Sequence, residues 1–306
     1  MGELKNKMLK RLNIYFNEMY PIIPRLFLGI IVFSEIYFIM LLNHGITDFK
    51  ISIGEFVGGF TVFSFLLLLR IADDFKDYEL DCRLFPQRPL PSGRVKKKDL
   101  AIFLTVLVIV TVVLNISFMN NIPYFFFLYF YGSLMSVWFF QKNKIQKSLP
   151  LALVTHNPVQ IILNIYIITF ACIKYDIPFF NITNILVVFT LYFPALIWEI
   201  SRKIRAPKDE TEYVTYSKLF GYKKATNFVM ILTIVDIITN FLLVYNLNKI
   251  ALAALLINVI WIICKFRSFI KNPEQFKLVD KVERYTYITE IIMIAVVVIY
   301  LMVGKI

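Results

Sequence analysis

Nine long apolar stretches constrain the fold of this 306-residue chain more than any other feature of its sequence. A helix needs roughly 20 apolar residues to cross about 30 Å of hydrocarbon, and slightly fewer where its ends reach the headgroups. Charged residues make up only 18% of the chain, against about a quarter in soluble domains. The stretches span residues 22–42, 52–71, 100–118, 122–140, 149–171, 184–198, 225–245, 250–264 and 287–303. The sequence therefore predicts an all-α, multi-pass transmembrane bundle of about nine helices.

The positions of lysine and arginine predict how this bundle is oriented. Short cytoplasmic loops of membrane proteins contain an excess of these residues. With the N-terminus in the cytoplasm, 28 of the 33 Lys and Arg residues lie in cytoplasmic segments. The opposite side then contains only Lys50, Lys174, Lys249 and Lys305. The net charge of +12 thus follows from topology, so we expect anionic membrane lipid and no nucleic acid as a partner.

A group of acidic residues follows the second apolar stretch. Asp73, Asp77 and Asp81, called the aspartate ladder here, are spaced four residues apart and so share one face of a helix. Three stacked carboxylates repel one another and need a cation. Mg²⁺ prefers one or two carboxylates together with water and phosphate oxygens, so a Mg²⁺-bridged diphosphate is the expected ligand. The alternative is a solvated helix end whose acids balance nearby Lys and Arg.

The segment after the aspartate ladder is rich in proline and arginine. Prolines end the helix and stiffen the chain that follows, and guanidinium groups bind phosphate oxygens. The segment contains Arg83, Pro86, Arg88, Pro89, Pro91, Gly93 and Arg94. This ordered arrangement beside the ladder favours the metal–diphosphate interpretation over a solvated helix end.

Residues 73–93 resemble the first signature of the UbiA superfamily of intramembrane prenyltransferases, usually written Asn-Asp-x-x-Asp-x-x-x-Asp, six residues, then Arg-Pro-x-Pro-Ser-Gly. Asp73 stands where the family usually has Asn, whereas Asp74, Asp77 and Asp81 fall in register. Residues 88–93 match throughout. The resemblance implies nine helices around a central cavity, an active site at the cytoplasmic face, and Mg²⁺-dependent ionisation of a prenyl diphosphate.

The loop after the sixth stretch, residues 199–224 and called the second loop here, fits the superfamily less well. In this superfamily the loop normally has an aspartate pair that holds a second Mg²⁺. Glu199 and Asp209 are the candidate replacements, and we favour the interpretation in which they bind the second metal. In the other interpretation, Arg202, Lys203 and Arg205 replace part of the metal's charge. A solvated turn at the membrane edge is the third possibility.

Basic residues from three segments are predicted to contact the diphosphate. Lys142, which follows the fourth stretch, is similar to the family's basic residue at that helix end, although an ordinary cytoplasmic lysine would occupy the same position. Arg88 belongs to the first signature, and the basic cluster of the second loop adds Arg202, Lys203 and Arg205.

Several ionisable residues lie inside the apolar stretches. Such groups are rare in lipid and are functional candidates by default. Glu35, His156 and Asp236 lie deep in their stretches, whereas Glu290 is placed near the inner end of the last one. We interpret His156 as a hydrogen-bonded residue between helices rather than as a catalytic group.

The predicted activity is transfer of a prenyl group from a prenyl diphosphate to a lipophilic acceptor, with an aromatic ring as the favoured kind. A membrane-bound terpene cyclase, in which a double bond of the same chain captures the cation, is the alternative. A transporter or scaffold whose buried acids bind protons or ions is a third hypothesis. We expect residues 1–306 to form a single membrane domain, with loops 72–98 and 199–224 covering the active site.

Overall fold

The structure, a computed structural model, describes residues 2–211 and 213–304, with side chains from residue 7 onward. Glu212 and Lys305 therefore lie outside the described residues. Within these ranges the chain forms α-helices joined by turns and short 3₁₀ helices, and no strand. The α-helices are α1 Gly2–Glu18, α2 Ile22–Asn43, α3 Ile53–Lys76, α4 Tyr78–Leu84, α5 Lys97–Phe118, α6 Ile122–Ser136, α7 Lys142–Ile145, α8 Leu149–His156, α9 Pro158–Tyr175, α10 Ile182–Thr190, α11 Tyr192–Ser201, α12 Tyr216–Phe220, α13 Tyr222–Val244, α14 Lys249–Lys271 and α15 Leu278–Val303.

Eight helical segments of the described residues are long and apolar enough to cross a membrane. They are Ile22–Asn43, Ile53–Lys76, Lys97–Phe118, Leu149–Tyr175, Ile182–Ser201, Tyr222–Val244, Lys249–Lys271 and Leu278–Val303. The multi-pass helical prediction is confirmed. The stretch at 122–140 is shorter than expected, because α6 ends after 15 residues and the backbone turns left-handed at Trp138, Phe139 and Phe140.

Helix ends follow local sequence signals. The carboxylate of Glu55 accepts the backbone N–H of Ser52 at 2.8 Å and so satisfies a free donor where α3 begins. Pro158 begins α9 directly after the break at Asn157, as expected for a residue that lacks an N–H. The side chain of Asn248 accepts the N–H of Ala251 at 3.0 Å, which starts α14.

The described chain divides into two compact units, Met1–Ser34 with Lys50–Lys142, and Glu35–Phe49 with Asn143–Ile306. In the first unit, α3 packs against α5 and α6. Close approach depends on small residues, since a Cβ added to Gly58 would lie 2.1 Å from the Phe33 ring. Polar side chains join the same helices, for example Ser64 with Thr111 at 2.8 Å.

In the second unit, Glu35, Asp236 and Glu290 are acidic residues that lie well inside membrane helices. Asp236 of α13 accepts hydrogen bonds from Tyr285 at 2.9 Å and Asn240 at 3.1 Å. The carboxyl groups of Glu35 and Glu290 lie close enough to interact with each other. Glu290 is the thirteenth residue of α15, which begins nine residues before the apolar stretch, within a charged segment. Its predicted position near the inner end of the apolar stretch stays a prediction.

Candidate active site

The aspartate ladder lies where α3 ends and α4 begins. The N–H of Asp77 donates to the carbonyl of Asp73 at 2.9 Å, and the N–H of Asp81 donates to the carbonyl of Asp77 at 2.9 Å. Successive ladder residues are thus one helical turn apart, which is the spacing that the sequence predicts. Asp77 itself forms the junction, with φ −102° and ψ 12°.

The two outer carboxylates of the ladder are paired with basic side chains. Lys76 contacts Asp73 at 2.7 Å. Arg88 donates from Nη1 to Asp81 at 2.9 Å, and its guanidinium lies 4.0 Å from the centre of the Phe85 ring. The structure therefore places Arg88, a predicted diphosphate contact, directly beside the ladder. Arginine held in this way is positioned to bind an incoming phosphate oxygen.

Asp77 differs from its two neighbours because no hydrogen bond or ion pair to its carboxylate occurs among the described residues. Burial raises the pKa of Asp77, and the nearby carboxylates of Asp73 and Asp81 raise it further. The positive charges of Lys76 and Lys142 act in the opposite direction on the same pKa. Lys142 thus lies close enough to the ladder for its charge to lower the pKa of Asp77, as its predicted role requires.

Asp74, which falls in register with the family signature, has a different environment from the ladder. It is buried, accepts a hydrogen bond from the Tyr15 hydroxyl at 2.6 Å, and pairs with Arg70 at 2.8 Å. Burial and the Asp74 carboxylate raise the pKa of Tyr15 well above its usual range, so this hydroxyl stays a donor. In the structure Asp74 joins the loop of residues 72–98, called the first loop here, to α1.

Helix α1 makes two further contacts with the segment that follows the ladder. Arg11 pairs with Asp99 at 2.5 Å, and Arg94 pairs with Glu18. This helix was not among the predicted helices, because the first predicted apolar stretch begins at residue 22. The sequence signal for α1 is an amphipathic pattern, in which Leu12 and Tyr15 are buried while neighbouring charged residues face outward.

The two predicted acidic residues of the second loop lie in different environments. Glu199, at the end of α11, is paired with Arg202 at 2.5 Å and with Lys203 at 2.9 Å. Asp209 ends the 3₁₀ helix Pro207–Asp209 and is exposed. Arg205 donates from Nη1 to Thr211 at 2.9 Å. A second metal held jointly by Glu199 and Asp209 stays a prediction.

Tyr216 and Glu210 fix the end of the second loop. Glu210 accepts hydrogen bonds from Thr215 at 2.8 Å and from Ser217 at 2.5 Å. The backbone N–H of Tyr216 donates to the carbonyl of Lys203 at 2.8 Å. Burial raises the pKa of Tyr216 to about 12. Neither residue was among the sequence candidates, because their role depends on contacts across the loop.

Comparison with known proteins identifies the family. The profile of the UbiA prenyltransferase family matches residues 31–277 of the chain. The chain belongs to the UbiA prenyltransferase family. A solved structure from work on digeranylgeranylglyceryl phosphate synthase in membranes has a similar fold, with a TM-score of 0.62 and 19% sequence identity over 96% of this chain and 98% of that one. No curated protein matches the sequence.

Family membership confirms that this UbiA-family chain is a multi-pass integral membrane protein and a prenyltransferase of the UbiA type. A prenyl diphosphate donor and a lipophilic acceptor are the substrate classes that this activity implies. The resemblance on residues 73–93 therefore predicted the family correctly.

The ladder of this UbiA-family protein can be compared with what a metal ion requires. Across residues 2–211 and 213–304, no group of three or more Asp, Glu, His or Cys side chains is placed to hold a metal ion. Mg²⁺ needs no such group, because it keeps water and takes one or two carboxylates with phosphate oxygens. Asp77 supplies an unpaired, half-buried carboxylate between two others. This donor set fits a Mg²⁺ ion that binds together with a diphosphate.

Proposed function

We propose that this protein catalyses Mg²⁺-dependent transfer of a prenyl group from a prenyl diphosphate to a lipophilic acceptor. The supporting observation is Asp77, a half-buried carboxylate that lies between Asp73 and Asp81 at the end of a membrane helix and has no basic partner of its own. Such a group is poorly stabilised alone and is well suited to a divalent cation.

The predicted residues at and near the aspartate ladder have distinct roles in this proposal. Asp73, Asp77 and Asp81 would hold Mg²⁺, one or two of them directly and together with diphosphate oxygens, and the ion would neutralise negative charge on the leaving diphosphate. Arg88 and Lys142 bind the oxygens of that diphosphate, so their charge stabilises the negative charge that grows when the carbon–oxygen bond breaks. The acceptor then forms a bond to the freed allylic carbon and loses a proton.

The test is turnover of purified protein with Mg²⁺ and prenyl diphosphates of ten to twenty carbons, with and without lipophilic acceptors that include aromatic compounds. Released diphosphate and extracted products are measured. We expect a prenylated adduct that forms only when acceptor is present. A hydrocarbon or terpene alcohol formed without acceptor would instead identify a terpene cyclase.

Asp77→Asn provides the variant for this test. It keeps the size of the side chain and removes the charge that we propose binds metal, so we expect diphosphate release to fall by about a hundredfold or more. Glu79→Gln is the matched control, because Glu79 is exposed in the same loop and lies off the ladder. Absence of turnover with every substrate, or equal activity of wild type and Asp77→Asn, would refute the proposal.

A further inference from the structure

Lys76, the last residue of α3, places an ammonium group among the carboxylates of the aspartate ladder. It pairs with Asp73 at 2.7 Å, and its charge lowers the pKa of Asp77. Lys76 was not among the residues that the sequence predicted for metal or diphosphate binding. The first unit itself thus supplies a positive charge beside two of the three ladder carboxylates.

The ammonium of Lys76 is held from a second side by an aromatic ring. Only 7% of the Lys76 side chain is exposed, against 49% of the Asp73 side chain. The ammonium lies 4.6 Å from the centre of the Trp138 ring, where the face of the ring attracts a cation. A charge that is buried to this extent needs such partners. Lys76 is therefore a fixed part of the ladder.

The backbone that carries this ring is strained. Trp138, Phe139 and Phe140 have φ values of 54°, 49° and 58°, a region that residues other than glycine rarely adopt. Such strain persists only where the surrounding structure holds it, and it is concentrated at functional sites. The turn presents its first ring to Lys76 and is followed two residues later by Lys142, the predicted diphosphate contact.

The pair of Asp73 and Lys76 differs from the other ion pair of the ladder. Arg88, which pairs with Asp81, has 32% of its side chain exposed, so an incoming phosphate oxygen can reach its guanidinium. The ammonium of Lys76 is almost fully enclosed, so it stays with its carboxylate. Asp77 lies between these two pairs. The ladder thus contains one pair that diphosphate can open and one pair that is fixed.

The fixed pair is found where this chain departs from its family. Asp73 stands where the UbiA prenyltransferase family usually has Asn, so the ladder has one more acidic residue than usual. An additional carboxylate attracts a lone metal ion and repels a diphosphate. The pair of Asp73 with Lys76 has no net charge, and neither would an asparagine. Lys76 therefore offsets the charge that the departure introduces.

We propose that Lys76 is a compensating counter-ion that makes Asp73 electrically equivalent to a neutral residue, so that the ladder favours Mg²⁺ together with diphosphate over Mg²⁺ alone. The inference rests on the proposed function, because it explains how the proposed metal site selects its ligand. Lys76 acts through Asp73 and through its charge, and is thus a specificity-determining residue. With it, the charge of the incoming ion is matched by Asp77, by Asp81 and by the diphosphate.

The first test is metal binding to the purified full-length protein in neutral detergent without diphosphate. Mn²⁺ is the probe, because it prefers the same oxygen ligands as Mg²⁺ and the unbound ion is measured by electron paramagnetic resonance. Lys76→Gln removes the compensating charge, and we expect the affinity for Mn²⁺ to rise roughly tenfold. Lys76→Arg keeps the charge and should stay within about twofold of wild type.

Binding of an anion should change in the opposite direction. Calorimetric titration with inorganic pyrophosphate in excess Mg²⁺ measures it, and we expect Lys76→Gln to weaken this binding roughly tenfold, because one attractive charge is lost. A purely structural role for Lys76 would weaken the binding of both probes. Lys98→Gln is the matched control, since Lys98 is exposed in the first turn of α5 and its replacement changes the net charge equally. It should bind both probes as wild type does.

A double variant tests whether Asp73 and Lys76 act as a neutral unit. Asp73→Asn alone leaves the charge of Lys76 without its carboxylate, so the affinity for Mn²⁺ should fall roughly tenfold. Asp73→Asn combined with Lys76→Gln removes both charges. We expect its affinities for Mn²⁺ and for pyrophosphate to return to within about threefold of wild type, so the two single effects cancel.

Three results would overturn the inference. They are an affinity for Mn²⁺ in Lys76→Gln that is unchanged or lower, an equal rise in Lys98→Gln, and a double variant that differs from wild type by about tenfold or more with either probe. The proposed function fails separately. If the variants follow the expected order but wild type releases no diphosphate from any prenyl donor, the reaction is refuted and the role of Lys76 stands. Turnover of wild type without that order refutes the role of Lys76 alone.

Discussion

Asp77 has two effects at the residue scale. Its buried charge lowers the stability of the folded protein, and we propose that the same charge binds metal. Its carboxyl group is half-buried, and both burial and the neighbouring carboxylates of Asp73 and Asp81 raise its pKa. The folded state therefore binds the proton of Asp77 more tightly than the unfolded chain does. Its contribution to stability is full at low pH and is lost as the pH rises through the folded pKa.

Asp77→Asn should raise the midpoint of thermal unfolding in the absence of metal at about pH 7.5, because it removes a buried charge that two carboxylates repel. The gain should shrink as the pH falls towards and below the ordinary pKa of 3.8, because Asp77 is protonated in both states only below that value. Thermal unfolding of detergent-solubilised protein across this pH range provides the measurement.

Added Mg²⁺ should reverse the order of stability at neutral pH. Wild type gains stability from a bound ion, whereas Asp77→Asn gains little. Glu79→Gln should behave as wild type in both conditions, since Glu79 is exposed. A midpoint for Asp77→Asn that lies below that of wild type without metal at neutral pH would contradict the role given to burial.

At the level of elements, α1 has more influence on the candidate site than its sequence suggests. Tyr15 contacts Asp74 at 2.6 Å, Arg11 contacts Asp99 at 2.5 Å, and Glu18 pairs with Arg94. These contacts join α1 to both sides of the aspartate ladder. They could not be predicted from the sequence, because their partners are separated by between 59 and 88 positions and no local pattern relates them.

Tyr15→Phe tests the connection between α1 and the first loop. It removes one hydrogen bond to a buried carboxylate, so the free energy of unfolding should fall by about 1.5–3 kcal/mol. Trypsin should also cleave faster after Lys10 or Arg11, since α1 is held less firmly. Tyr213→Phe is the control, because Tyr213 is about half exposed. Unchanged stability and cleavage would show that α1 is not needed to hold the loop.

The structure of the whole molecule shows which features sequence patterns predict and which they do not. The membrane helices could be predicted because lipid forces long apolar runs, as in the runs that became α2 and α3. The spacing of the aspartate ladder and residues 88–93 predicted the family. The left-handed turn at Trp138 could not be predicted, since no local sequence pattern indicates it.

Orientation in the membrane remains a prediction, and the two ends of α14 can test it. Lys249 and Lys271 are both exposed and are predicted to lie on opposite sides. In a protein whose three native cysteines are replaced by serine, a membrane-impermeant maleimide added to intact cells should label Lys249→Cys and not Lys271→Cys. After permeabilisation both should be labelled. Labelling of Lys271→Cys alone in intact cells would reverse the topology.

The acidic residues inside the second unit have a consequence for biosynthesis. Glu35 lies in the first membrane helix, and its neighbour Glu290 is made about 250 residues later. An acidic residue at mid-membrane depth costs about 2.5–3.5 kcal/mol when its helix inserts alone. Nascent α2 therefore enters the membrane before Glu290 is available, and the interaction of Glu35 with Glu290 forms only after α15 has left the ribosome. A chain that stops before α15 should consequently be recognised by cellular quality control as unassembled.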